Sequence, residues 1–211
     1  MASQNKHLEH LEDELINYGY GGYVASKDLI QNFVDELGGR PTGNVTVTTK
    51  WDGAPAVVCG IDPESKQFFV GTKSVFNKKE PKINFTEADI DRNHGEIPDL
   101  AKKLKYCLEY FSELNIRGVI QGDLLFTDED VVTKNIDGER YYTATPNTLT
   151  YAWPADSDLG KAVHNAKIGA VFHTYYSGTG PINTLNAGFG VSQFNLKSTR
   201  NVFLASATMD N

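Results

Sequence analysis

The sequence predicts an α+β fold, with helices first and an antiparallel sheet after them. Two patterns carry this expectation. Up to Leu37 the apolar residues recur at helical spacing, and from Val45 onward they alternate or run in short blocks bounded by turn residues. A third observation sets the domain count. The 211 residues contain no internal repeat, low-complexity tract or clear linker, so residues 1–211 read as one domain with a helical piece at 1–40.

Each element has its own signal. His7 to Tyr18 reads as an amphipathic helix with Leu8, Leu11, Leu15 and Ile16 on one face, closed by Gly19, Gly21 and Gly22. His7 and His10 lie three apart on it, but Glu9, Glu12 and Asp13 around them indicate a solvent face. A second helix is expected from Ser26, as N-cap, to Leu37, stopped by Gly38-Gly39. Val45 to Lys50 reads as a strand, and Ala56 to Gly60 and Gln67 to Gly71 as a hairpin around the turn Asp62-Pro63-Glu64-Ser65. A short helix is expected after Thr86, and a stronger one from Pro98 buries Leu100, Leu104, Cys107, Leu108, Phe111 and Leu114. Arg117 to Phe126, Arg140 to Ala144, Thr148 to Trp153 and Lys167 to Tyr176 read as strands, and Ser157 to Asn165 as a small helix. Beyond Ser177 the chain is rich in Gly, Asn, Ser and Thr and gives weak signals.

Composition narrows the function classes. Hydrophobic residues make up 40% and charged residues 22%, enough for a packed core. A net charge of −7 argues against broad adhesion to nucleic acid, which needs a basic face. It leaves room for a local basic groove from Lys66, Lys73, Lys78, Lys79 and Lys82. Cys59 and Cys107 match no metal signature and no disulfide framework. No apolar run approaches membrane-spanning length, and the polar start is no signal peptide, so the expectation is a cytoplasmic protein without a membrane partner.

The stretch with most chemical content is Lys50-Trp51-Asp52-Gly53. A lysine at a strand end, followed by an acid and a glycine, can attack a nucleotide α-phosphate. It does so only as the neutral amine, which burial or neighbouring cations favour. The same four residues also fit a surface lysine entering an Asp-Gly turn. Gly71-Thr72-Lys73-Ser74 ends the hairpin strand and returns toward Lys50. Val119-Ile120-Gln121-Gly122-Asp123-Leu124-Leu125-Phe126 is an apolar strand that carries an acid, costly without a partner. Ile168-Gly169-Ala170-Val171-Phe172-His173 is an apolar strand ending in aromatic and polar groups.

Taken together, these segments resemble the covalent nucleotidyltransferase superfamily of ATP-dependent DNA ligases, RNA ligases and mRNA capping enzymes, over roughly Val45 to Tyr176. Lys50-Trp51-Asp52-Gly53-Ala54-Pro55-Ala56 also looks like ligase-like proteins of large tailed phages, which would place the protein in the host cytoplasm. The resemblance implies an antiparallel-sheet nucleotidyltransferase fold, an ATP-grasp-like ligase adenylation domain with N-terminal helices. It implies Lys50 as the residue that takes AMP from ATP, Asp52 and Gly53 shaping the site, and Thr72 and Lys73 on phosphate or ribose. It further implies Asp123 on ribose or on Mg²⁺ through water, and Phe172 stacked on the base. The implied partner is a nucleic-acid 5′-phosphate end, RNA before DNA.

The match has departures. Lys73 stands where the family often has arginine, and Asp123 where it has glutamate. No acid-bearing apolar strand follows Phe172, and Asn195-Leu196-Lys197-Ser198-Thr199-Arg200 is the nearest approach to the family's paired phosphate lysines. The expectation is therefore a C-terminal part continued past Asn211, or a degenerate member. The alternative is a non-catalytic nucleotide-binding or phage structural protein on the same scaffold. A Walker-type phosphate loop and a dinucleotide fingerprint are both absent from the sequence.

Overall fold

In the computed structural model, residues 11–40, 48–191 and 194–207 are described. They fall into two compact units, one reaching to Thr49 and the other spanning Lys50–Ala207.

The first unit holds helix α1, Leu11–Leu37, broken at Gly19, whose φ of 55° and ψ of −127° are not helical. Only a residue without Cβ adopts that conformation readily. The chain turns back there, so that Gly22 meets the Glu14 backbone and the Ser26 hydroxyl donates to Leu11 O at 3.4 Å. Ser26 is therefore not an N-cap. It lies inside the second helical stretch, buried against the first. The stop at Gly38-Gly39 is as expected, with Gly39 at φ 71°. The start of the first helix at His7, and Val45 to Val47 of the expected strand, lie outside the described residues. Lys50 itself is in no strand.

The second unit begins with the hairpin β1 (Ala56–Ile61) and β2 (Phe68–Gly71). Helix α2 (Glu87–His94) follows, closed at its start by a reciprocal capping box between Thr86 and Asp89. Helix α3 (Pro98–Phe111) opens on proline, whose missing N–H would have had no partner in a first turn. Then come β3 (Val119–Thr127), β4 (Val132–Ile136), β5 (Glu139–Ala144) and β6 (Tyr151–Pro154). Helix α4 (Asp158–Asn165), capped by Ser157, leads to β7 (Ile168–Ser177), β8 (Asn186–Phe189) and β9 (Val202–Ala205).

These strands form two sheets. The larger has six strands in the order β2-β1-β3-β7-β8, with β9 also on β7, and the smaller is β4-β5-β6. β9 pairs with β7 in parallel, so the main sheet is mixed rather than purely antiparallel. The molecule is thus mixed α+β.

Alternation along β1, β3 and β7 gives the main sheet two faces. Val57, Cys59, Ile120, Leu124, Ala170 and Phe172 pack with Leu104, Cys107 and Phe111 of α3 in one cluster. The opposite face carries two apolar clusters. Val58, Phe69, Val75, Val119 and Ile182 form one, and Leu125, Trp153, Val163 and Val171 belong to the other. Cys59 and Cys107 are buried free thiols, and burial pushes both pKa values up.

Candidate functional site

Between those two apolar clusters the sheet face turns polar. Gln121 and Asp123, two residues apart on β3, point to this face because side chains alternate along a strand. β7 has an irregularity here: Gln121 pairs with Thr174 and Gly122 with Phe172, leaving His173 as the extra residue. Such a bulge re-aims a side chain. His173 Nε2 lies 3.5 Å from Asp123 Oδ2, while its Nδ1 is 2.8 Å from Thr174 Oγ1. The side chains of Asp123 and His173 are 22% and 32% exposed, so both remain reachable. Tyr176 donates to Gln121 Oε1 at 2.6 Å.

The Lys50-Trp51-Asp52-Gly53 segment docks against the edge of this polar window. Ala54 N donates to Leu124 O at 2.9 Å, and Leu124 N donates to Pro55 O at 3.1 Å. Gly53 lies so close to β3 that a Cβ there would sit 2.6 Å from Asp123 Cβ and 2.8 Å from Leu124 O. Glycine is required by space at this position. Lys50 is exposed and three residues from Gly53, which tethers its Cα within about 11 Å of that contact. Thr72 and Lys73 leave β2 just past Gly71, which pairs with Val58. They emerge level with Val57 and Ala56, about 10 Å or two strand spacings from Gly122 and Asp123. Gly53 thus meets Asp123 directly, while Lys50 is tethered within that reach and Thr72 and Lys73 leave the same sheet two strands away.

Three of the expected site residues have side chains engaged elsewhere: Asp52, Phe172 and Thr72. The Asp52 carboxylate accepts from Asn147 Nδ2 (2.8 Å), Thr148 N (2.8 Å) and Leu149 N (2.9 Å), and so clasps the β5–β6 turn. Those donors, the Asn147 amide foremost, hold its carboxyl below the usual range, and the nearby Lys50 charge adds in the same direction. Asp52 N donates to the Tyr151 hydroxyl at 2.6 Å, Trp51 packs on Tyr151, and Trp51 Nε1 donates to Ser206 O at 2.9 Å. Phe172 is 4% exposed and sits edge-on to Phe111 in the α3-side cluster, on the face away from Asp123. Its ring is core, and no open face remains to stack on a base. Thr72 Oγ1 caps the short 3₁₀ turn that begins at Lys73, accepting from Ser74 N.

The sequence singles out Asp123 but gives no role to Gln121 or Tyr176, and marks His173 only as the polar end of its strand. The signal for Gln121 was its place two residues from Asp123 inside an apolar run. Nothing local marks Tyr176 or the bulge, because they depend on how β7 pairs. Asn147 and Tyr151 as partners of Asp52 were likewise invisible, lying 95 and 99 residues away.

Two cavities, about 200 and 400 Å³, are lined by other residues, among them Asp128 and His164 in one and Arg200 and Phe203 in the other. Among the described residues no group of three or more His, Cys, Asp or Glu could hold a metal ion. No helix among them is long and apolar enough to cross a membrane.

Residues 5–211 match a family of unknown function, DUF6267. The chain belongs to that family. No curated protein and no solved structure matches it.

Proposed function

We propose that the protein is a ligase-like nucleotidyltransferase that loads AMP from ATP onto Lys50. The observation that carries this reading is the docking of the lysine segment against the acid-bearing strand, with Gly53 in contact with Asp123. A nucleophile tethered beside a partly exposed carboxylate, at the edge of a polar window flanked by apolar clusters, suits a mononucleotide.

In the proposed step the Lys50 Nζ lone pair attacks the α-phosphorus. The bond from that phosphorus to the bridging oxygen breaks, pyrophosphate departs, and the ammonium proton goes to solvent. Lys73 holds phosphate as a point charge. Asp123 takes a ribose hydroxyl or a magnesium ion. One carboxylate with substrate phosphates is a usual magnesium environment, so Asp123 fits the ion. Magnesium bound there would neutralise charge on the triphosphate. Asp52, committed to Asn147, Thr148 and Leu149, orients the segment from outside the chemistry. Transfer of AMP to a 5′-phosphate end, of RNA before DNA, is the second half of the proposal. A protein of net charge −7 suits a partner gripped at its end.

The test is incubation with α-labelled ATP and Mg²⁺ followed by denaturing electrophoresis. Acid-labile label on the wild type, lost in Lys50→Ala, supports the reading. A second reading has its own observations: Asp52 is fully engaged and Lys50 is exposed, as in a scaffold that binds nucleotide without turnover. Bound ATP with no covalent label supports that alternative.

A further inference from the structure

Gln121 is 8% exposed, yet only one end of its amide is satisfied. The Tyr176 hydroxyl donates to Oε1 at 2.6 Å, and Nε2 has no hydrogen-bond partner among the described residues. Among the described residues, the fully buried side-chain atoms without a partner are Glu36 Oε2 and His94 Nε2. The amide nitrogen thus has no acceptor among the described residues, on the sheet face that Gln121 shares with Asp123. Burying such a donor costs free energy unless something accepts from it.

In this geometry the Tyr176 hydroxyl meets the oxygen end of the Gln121 amide. Burial raises the Tyr176 pKa to about 12, so the hydroxyl keeps its proton at neutral pH. By donating to the oxygen it leaves the NH₂ for another acceptor. Gln121 also sits at a measured step from Asp123. Two residues along one strand face separate their Cα atoms by about 6.8 Å. A nucleoside whose ribose hydroxyls bond Asp123 spans a similar distance to its base edge. Beside Gln121, the rings of Phe76 and Tyr176 lie 4.5 Å apart and offer an aromatic wall.

We propose that Gln121, oriented by Tyr176, is the residue that selects the donor base, favouring adenine over guanine. The inference rests on the nucleotidyltransferase reading for the placement of the ribose. Donors and acceptors on the base edge set the preference. A fixed NH₂ needs an acceptor, and adenine N1 is one. Guanine carries a hydrogen on N1, so in the same pose two donors would face each other. Discrimination that leaves buried polar groups unpaired is strong relative to discrimination by size.

Binding of ATP and of GTP to the full chain by calorimetry tests this apart from any chemistry at Lys50. The wild type should bind ATP about tenfold or more tightly than GTP. Tyr176→Phe frees the amide to turn over, and the ratio should fall toward one while the melting temperature stays within a few degrees. Gln121→Glu presents acceptors only and should shift preference toward GTP. Equal binding of both nucleotides by the wild type overturns the inference, as does an unchanged ratio in both variants, even if Lys50 takes label. Absence of binding by either nucleotide overturns the nucleotide reading as well.

Discussion

At the scale of single residues, Gly53 and Asp52 show how the same short motif divides its work. Gly53 is there because β3 leaves no room for a Cβ. Gly53→Ala should lower stability by about 1–3 kcal/mol, read from urea unfolding, because the clash includes backbone at Leu124 O, which cannot swing away. A change within ±0.5 kcal/mol would mean the segment is not docked against β3. Asp52 acts as a clasp. Its depressed pKa means that its bonds to the β5–β6 turn persist at neutral pH and fade as pH falls below the ordinary carboxylate range. Asp52→Ala should raise amide exchange at Thr148 and Leu149 while leaving exchange in the α3-side core unchanged. Equal protection in both proteins would contradict the clasp.

Elements were legible in proportion to how local their cause is. The Thr86–Asp89 capping box, Pro98 at a first turn and the Asp62 turn all act within a few residues, and the corresponding helices and hairpin were read correctly. β4, with every residue exposed, has no apolar alternation to read, and it was missed. β8 and β9 lie in the Gly- and Asn-rich stretch and exist because they share the one edge of β7 that β3 leaves open, β8 at Thr174–Ser177 and β9 at Ile168–Val171, a tertiary cause. Phe172 was misplaced for the same reason: parity tells which residues share a face, but not which face meets α3. α2 carries a prediction of its own. His94 is buried, and burial first, then the Lys82 charge, lower its pKa from the ordinary 6.5. The unfolded chain then takes up a proton that the folded chain resists, so stability should fall as pH drops below about 6.5 and level off past the lower folded value. The urea midpoint against pH should show this limb in the wild type and lose it in His94→Gln. A limb of the same size in the variant would reject His94 as its source.

For the whole molecule, the division of labour between units matters most. The three apolar clusters among the described residues are built from residues between Trp51 and Ala207. A chain of residues 50–207 should therefore unfold in one cooperative transition, and a broad, sloping melt would contradict this. Leu104→Ala, emptying a fully buried position in the largest cluster, should cost that transition about 2–5 kcal/mol. Sequence reading took residues 1–211 as one domain because no linker composition marks the passage through Thr49 and Lys50. The nucleotide account, by contrast, needs only the larger unit, since Lys50, Thr72, Lys73, Gln121, Asp123 and Tyr176 all belong to it. Its most direct test is the site of covalent modification. After incubation with ATP and Mg²⁺, proteolytic peptides analysed by mass spectrometry should carry AMP on Lys50 alone. An unmodified wild-type protein, or AMP on another lysine that persists in Lys50→Ala, would contradict the account.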